Sequence, residues 1–283
     1  MSCIKLILLS LALGLGSLSA KANPSYYPEG FIQKATSADS ISEEIKIELF
    51  KIVSFYHYKE RGQEHDLIVK KCPKNRNCFI QDSSFSYRQA RKYLFGLLHL
   101  KQDDLGYYVN DLYCQKTIRE DDGVAPGRIP NHMKINCEHT WPQSKFTEAF
   151  SKHAQKVDLH HLYPVNSRAN SSRANHPFGH VDGGRPVNSS CEKAYVGVDF
   201  SGAQYSFEPP HSHRGNVARA MFYFSIRYKS KINPIQEEYL RRWHLEDPVD
   251  AEEKRRNDQI EALQKNRNPF IDYPRLVSTI DDF

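Results

Sequence analysis

The sequence predicts an α+β fold: one mixed, largely helical domain. Three observations point to it. Apolar residues recur at helical spacing in several separate segments, a short apolar strand lies between them around His139, and no linker divides the 283 residues. Aromatic residues make up 12% of the chain, while 14 Gly and 15 Pro are ordinary usage, so a sizeable core can form and global disorder is excluded.

From the N-terminus, Lys5 precedes an apolar run from Leu6 to Leu18, and Ala20-Lys21-Ala22 supplies small residues at a cleavage site. Residues 1–22 read as a secretory signal peptide cleaved near Ala22, which makes the product secreted or periplasmic. An uncleaved anchor is the alternative, but the run is short for a membrane span. Residues 23–283 form the expected domain, with no later segment apolar enough to cross a bilayer. Ser40-Ile-Ser-Glu43 offers a capping box, followed by Ile41, Ile45, Leu49 and Ile52 at helical spacing. A second helix is expected from Ser86 to Leu100, with Tyr87, Ala90, Leu94 and Leu97 on one face. Gln102 to Asn136 reads as loop-rich. A third helix fits Gly215 to Tyr228, and the charged tail from Asn233 reads as mostly helical, ending at Pro269.

Charge is weakly informative. The 39 Lys+Arg against 34 Asp+Glu give +5, and loss of Lys5 and Lys21 with the signal would leave +3. That excludes a histone-like tail and permits an anionic partner without requiring one.

Export makes disulfides possible. With Cys3 removed, five cysteines remain. Cys72–Cys78 is the expected bridge around a small basic loop, and Cys137–Cys191 is preferred as the second, leaving Cys114 unpaired. A zinc site is the rival reading, because many histidines cluster between His132 and His213. No Cys-x-x-Cys or His-Glu-x-x-His pattern accompanies them.

Chemistry concentrates between Ile135 and Asn175. Glu138 and His139 are adjacent, so they reach one site together only at a strand end or irregular turn, which Pro142 makes plausible. Asn166, Asn170 and Arg173 share one face if helical. A carboxylate with a carboxamide oxygen is a sparse, all-oxygen donor set suited to Mg2+. An imidazole beside it can take a proton from water, and nearby arginines can fork onto phosphate oxygens. Together the parts imply metal-assisted hydrolysis of a phosphodiester. Each residue alone has a blander reading as surface, core or cap; the ordered set outweighs it.

Glu138-His139-x-x-Pro142, Asp158-Leu159-His160-x-Leu162-x-Pro164 and Asn170-x-x-Arg173-x-Asn175 together resemble the endonuclease I family of secreted and periplasmic bacterial nucleases, which are ββα-metal (His-Me finger) enzymes. Glu208-Pro-Pro, the block from Arg214 to Tyr223, Trp243 to Asp250, Arg256-Asn257 and Asn266 to Phe270 extend the resemblance over about Ser86 to Pro269.

The resemblance implies a ββα-metal core inside the helical domain. It makes Glu138 and Asn170 the Mg2+ ligands and His139 the general base, with 5′-phosphate products. Asp158, His160 and Asn166 become supporting residues. Some relatives carry a catalytic arginine between the Glu-His strand and the Asp-Leu-His segment. The connection from Gln143 to Val157 has none here, so Arg168, Arg173 and Arg214 stand as candidate phosphate contacts. DNA is the expected partner of a monomeric enzyme, bound without sequence preference, with RNA left open. Lys70, Lys71, Lys74 and Arg76 are candidate contacts, against the plainer reading of a solvated loop. A non-catalytic DNA-binding protein is the other rival.

Overall fold

The computed structural model describes residues 24–37 and 41–283. The expected signal segment and the capping Ser40 lie outside them. In chain order the larger elements are α1 (Phe31–Ala35), α2 (Ser42–Ser54), β1 (Tyr56–Tyr58), β2 (Leu67–Val69) and α3 (Tyr87–Tyr93). Next come β3 (Lys101–Asp103), β4 (Gly106–Asn110), β5 (Thr117–Arg119), β6 (Ile135–His139), α4 (Lys152–Val157), β7 (Leu162–Asn166) and α5 (Ser167–Arg173). The last third holds β8 (Arg185–Asn188), β9 (Cys191–Val198), β10 (Tyr205–Glu208), α6 (His211–Tyr228), α7 (Pro234–Glu246), α8 (Ala251–Gln264) and α9 (Pro269–Asp272).

Helix α6 organises the larger core. Val217, Ala218, Phe222, Phe224 and Tyr228 are fully buried on it, and α2, α7 and α9 pack around it. Gly215 permits one close approach: a Cβ there would sit 1.9 Å from the Asp247 carbonyl oxygen. Its N–H instead donates to Asp247 Oδ2 at 2.8 Å, tying α6 to the end of α7. A second cluster joins Ala90, Leu94, Phe95 and Leu98 to Ile135, Cys137, Leu159, Leu162 and Ile260. The β6–β7 hairpin lies between the two clusters, because its alternating side chains feed one core from each face.

Several expectations change. In α2 the periodic Ile45, Leu49 and Ile52 are buried, but Ile41 is the N-cap residue and lies exposed. The second helix continues from α3 into a π turn over Leu94–Leu98. A π turn holds more residues per revolution than an α turn, so the following positions rotate out of phase. Leu97 is thereby carried into solvent, and Leu98 takes the buried place. The stretch expected to be loop-rich contains the antiparallel sheet β3-β4-β5. Its strands are three to five residues long, and only Val109 and Ile118 are buried on them, too little for a periodic signal. Pro269 opens α9 as its first residue and does not close the helical tail.

Cys72 and Cys78 are bridged. The expected Cys137–Cys191 bridge is not formed: Cys191 pairs with Cys114, and Cys137 is free and buried. The reason is the two-sided hairpin. Cys137 faces the α3 cluster, whereas Cys114 and Cys191 both belong to the α6 cluster. Asp111 gathers the N–H groups of Tyr113 and Cys114, which folds the turn after β4 toward Cys191.

Candidate active site

Strands β6 and β7 pair antiparallel, with Ile135 opposite Asn166, Glu138 opposite Tyr163 and His139 opposite Leu162. β7 runs directly into α5. Asn166 makes the junction by accepting from the backbone N–H groups of Arg168 and Ala169, each at 3.1 Å. Its role is therefore that of an N-cap, and Asn170 and Arg173 lie further along the same helix. The Asp158–His161 segment before β7 is a short 3-10 turn rather than strand.

Glu138 is 3% exposed. Its Oε1 accepts from the Tyr113 hydroxyl at 2.9 Å and lies 3.3 Å from Arg173 Nε. Burial raises the carboxyl pKa, opposed by the Arg173 charge and the tyrosine donor. Arg173 is itself buried. Its Nη2 donates to the Thr140 carbonyl at 2.7 Å, and its guanidinium lies 4.5 Å from the centre of the Phe178 ring. One turn earlier on α5, the half-buried Asn170 side chain has no hydrogen-bond partner among the described residues. The Glu138 carboxylate is further stabilised by the His139 backbone N–H.

His139 closes β6, and its partners are separate from those of Glu138. Its Nε2 donates to the Lys156 carbonyl at 3.0 Å, and Nδ1 faces the Gln143 amide nitrogen at 3.3 Å. This pairing fixes the Nε2–H tautomer and leaves Nδ1 as the acceptor. The ring is packed by Tyr87, Phe146 and His161. Burial, then His161, pushes its pKa down to about 3, so the imidazole is neutral at physiological pH. The alternation of the strand thus keeps the two side chains apart in their contacts, although Arg173 acts electrostatically on both.

The remaining sequence-predicted residues fall into two groups. Asp158 is a buried hub accepting from Gln81, Tyr223, Tyr228 and Gln264 at 2.8–3.0 Å. Burial raises its carboxyl pKa, but His160, His161 and these donors outweigh that and hold it below the usual value. His160 packs at a tilt against Tyr223 and reaches the Asn266 carbonyl at 3.2 Å. Arg214 is spent on Glu208 and the Pro209 carbonyl, in a chain that continues through His180 to Trp243. Arg168 is exposed, with no side-chain hydrogen bond or ion pair among the described residues. Among them, too, no three His, Cys, Asp or Glu side chains converge as a metal site, so the zinc alternative lacks a donor set there.

Tyr113, Gln143 and Lys145 were missed by sequence reasoning. Lys145 stands close enough to Arg173 that partial burial and then cation repulsion lower its ammonium pKa. Gln143 and Lys145 follow the Glu-His pair within one short turn, a signal available in the sequence. Tyr113 had none, since it arrives from 25 residues upstream.

A glutamate and an unengaged carboxamide one helix turn from its arginine partner are donors of the kind a hard cation takes, and a neutral imidazole of fixed tautomer can accept a proton. By type the two side chains offer oxygen donors, the kind that Mg2+ takes alongside water and phosphate. The model of the family described as Endonuclease I matches residues 79–275. An extracellular deoxyribonuclease of Aeromonas hydrophila is 34% identical over 172 residues, covering 54% of this chain and 72% of the relative. A periplasmic deoxyribonuclease of the same organism is 33% identical over 170 residues, covering 54% and 70%. The extracellular ribonuclease of Bacillus subtilis (strain 168) is 33% identical over 163 residues, covering 51% of this chain and 53% of its own. The chain thus spans about half the length of that ribonuclease.

Proposed function

We propose, from the premise that the chain belongs to the endonuclease I family, that it is an exported, Mg2+-dependent endonuclease hydrolysing phosphodiester bonds of nucleic acid without sequence preference. DNA is the substrate assigned first; relatives named both deoxyribonuclease and ribonuclease support RNA as a second. In this reading β6, β7 and α5 are the ββα-metal core. The observation that carries it is the clasp of buried Glu138 by Arg173 of α5, which sets Asn170 on the helix that covers the carboxylate. Two disulfides and relatives named extracellular or periplasmic support export, and among the described residues no helix is long and apolar enough to cross a membrane.

Glu138 and Asn170 would hold the Mg2+. When bound, the ion supplies Lewis-acid stabilisation of charge on the phosphate and the departing 3′ oxygen. His139 accepts the proton of the attacking water at Nδ1, while the Lys156 carbonyl holds the opposite N–H and keeps the ring oriented. Gln143, which caps Nδ1 here, yields that position to the water. With the 3′ oxygen as the leaving group, the phosphate stays on the 5′ end. Arg168 and Lys145 have ammonium or guanidinium groups free to meet phosphate oxygens. Arg173 instead steadies the Glu138 carboxylate, and Arg214 stays with Glu208.

The test is plasmid cleavage by mature protein with Mg2+ or with chelator, alongside His139→Ala. Cleavage that needs the metal and falls on the order of a hundredfold or more in the variant is expected. An intact plasmid with wild type, or equal cutting by the variant, overturns the reading.

A further inference from the structure

We propose that the segment Leu67–Cys78, whose second half is closed by the Cys72–Cys78 disulfide, is a second contact for the nucleic-acid backbone, lying just before the family-matched region begins at Phe79. The inference rests on the nuclease reading and adds to it where the substrate is gripped. Four cations (Lys70, Lys71, Lys74 and Arg76) and no acid occupy these twelve residues, more than the net +3 of residues 23–283. Charge that is nearly balanced elsewhere is therefore gathered on one short loop.

Among the described residues, most cations with partners are tied to acids, as Arg219 is to Glu253 at 2.5 Å and Lys46 to Asp282 at 2.8 Å. On the loop only Arg76 is so engaged, with Glu60 at 2.7 Å. Lys70, Lys71 and Lys74 are exposed and make no ion pair or ammonium hydrogen bond among the described residues. The bridge between Cys72 and Cys78 spans 5.9 Å between Cα atoms and closes the turn that carries Lys74 and Arg76, with Lys70 and Lys71 just before it at the end of β2. Unpaired lysines bind phosphate without first breaking a contact.

The loop is also tethered to the site. Three residues after Cys78, Gln81 donates to Asp158 at 3.0 Å, and two residues before Asp158 the Lys156 carbonyl holds His139. That path limits the separation of Cys78 and the imidazole to on the order of 30 Å. One helical turn of duplex is about 34 Å, so this separation is within the length of a short duplex. Leu67 is the only exposed large apolar residue of the segment, which favours a polyanion over insertion into lipid.

The experiment measures binding of a labelled 30-base-pair duplex by fluorescence anisotropy, in chelator to prevent cutting, across 50–200 mM NaCl. Compared are wild type, Lys70→Gln/Lys71→Gln/Lys74→Gln, and a control with Lys152→Gln/Lys193→Gln/Lys265→Gln. Each phosphate contact contributes about 0.9 to the slope of log affinity against log salt. The loop variant should lose two to three from that slope and bind at least tenfold more weakly at 100 mM salt, with the control close to wild type. Equal affinity and slope in wild type and loop variant, or equal losses in both variants, overturn the proposal. Binding of the loop to phosphatidylglycerol vesicles but not to duplex does the same. Wild type that neither binds duplex in chelator nor cuts it with Mg2+ sinks the nuclease reading as well. Cutting by wild type together with an unchanged slope in the loop variant removes only the loop.

Discussion

Arg173 Nε lies 3.3 Å from Glu138 Oε1, with both side chains almost wholly buried. The pair joins the strand that carries the carboxylate to the helix that carries Asn170. A buried ion pair is weak evidence for stability in itself, but removing one partner leaves an uncompensated charge.

Arg173→Met should therefore destabilise the fold by about 3–5 kcal/mol, read as a lower urea midpoint. Tyr113→Phe removes only a hydroxyl donor to the same carboxylate, and about 1–2 kcal/mol is expected. A larger effect from Tyr113→Phe than from Arg173→Met would mean that the tyrosine, not the arginine, holds Glu138 in place.

Thiol chemistry checks the disulfide pattern. Cys137 is buried, and burial pushes its thiol pKa up to about 12, so the native protein should not react with a thiol reagent. Once residues 1–22 are removed, the unfolded, unreduced chain should show one reactive thiol. Peptide mapping should join the Cys114 peptide to the Cys191 peptide. Loss of that bridge, which closes a separation of 77 residues, is expected to lower stability by about 2–4 kcal/mol.

Acid should unfold the protein through its buried histidines. Burial pushes the pKa of His160, His161 and His244 down to about 4, and that of His213 to about 3. Their unfolded values are about 6.5. Between pH 6.5 and about 4 the unfolded chain binds protons that the folded chain refuses, so stability falls as pH falls through that window. Each such imidazole contributes up to about 1.4 kcal/mol per pH unit there. Urea midpoints at pH 7 and pH 5 should differ clearly, with the lower value at pH 5; equal midpoints would show that these rings are solvated.

Much of this was legible in the sequence, for identifiable reasons. Ile45, Leu49 and Ile52 announced α2, and the ordered motifs around Glu138, His139 and Asn170 announced the hairpin and its helix. The β3-β4-β5 sheet was not legible, because Val109 and Ile118 alone cannot establish a period. Leu97 was misplaced because a π turn leaves no compositional mark. The Cys137–Cys191 choice failed because the sequence does not say which face of β6 a side chain leaves. Tyr113 was invisible for the same reason: its position under Glu138 depends on a turn shaped by Asp111 and a bridge to Cys191.

The central claim, that Glu138 and Asn170 together hold the catalytic metal, is tested most directly by the Mg2+ concentration giving half-maximal plasmid cleavage by Asn170→Ala relative to wild type. A rise of about tenfold or more is predicted, since even indirect partners of a metal typically contribute that much to its affinity. An unchanged half-maximal concentration in a folded variant would contradict it.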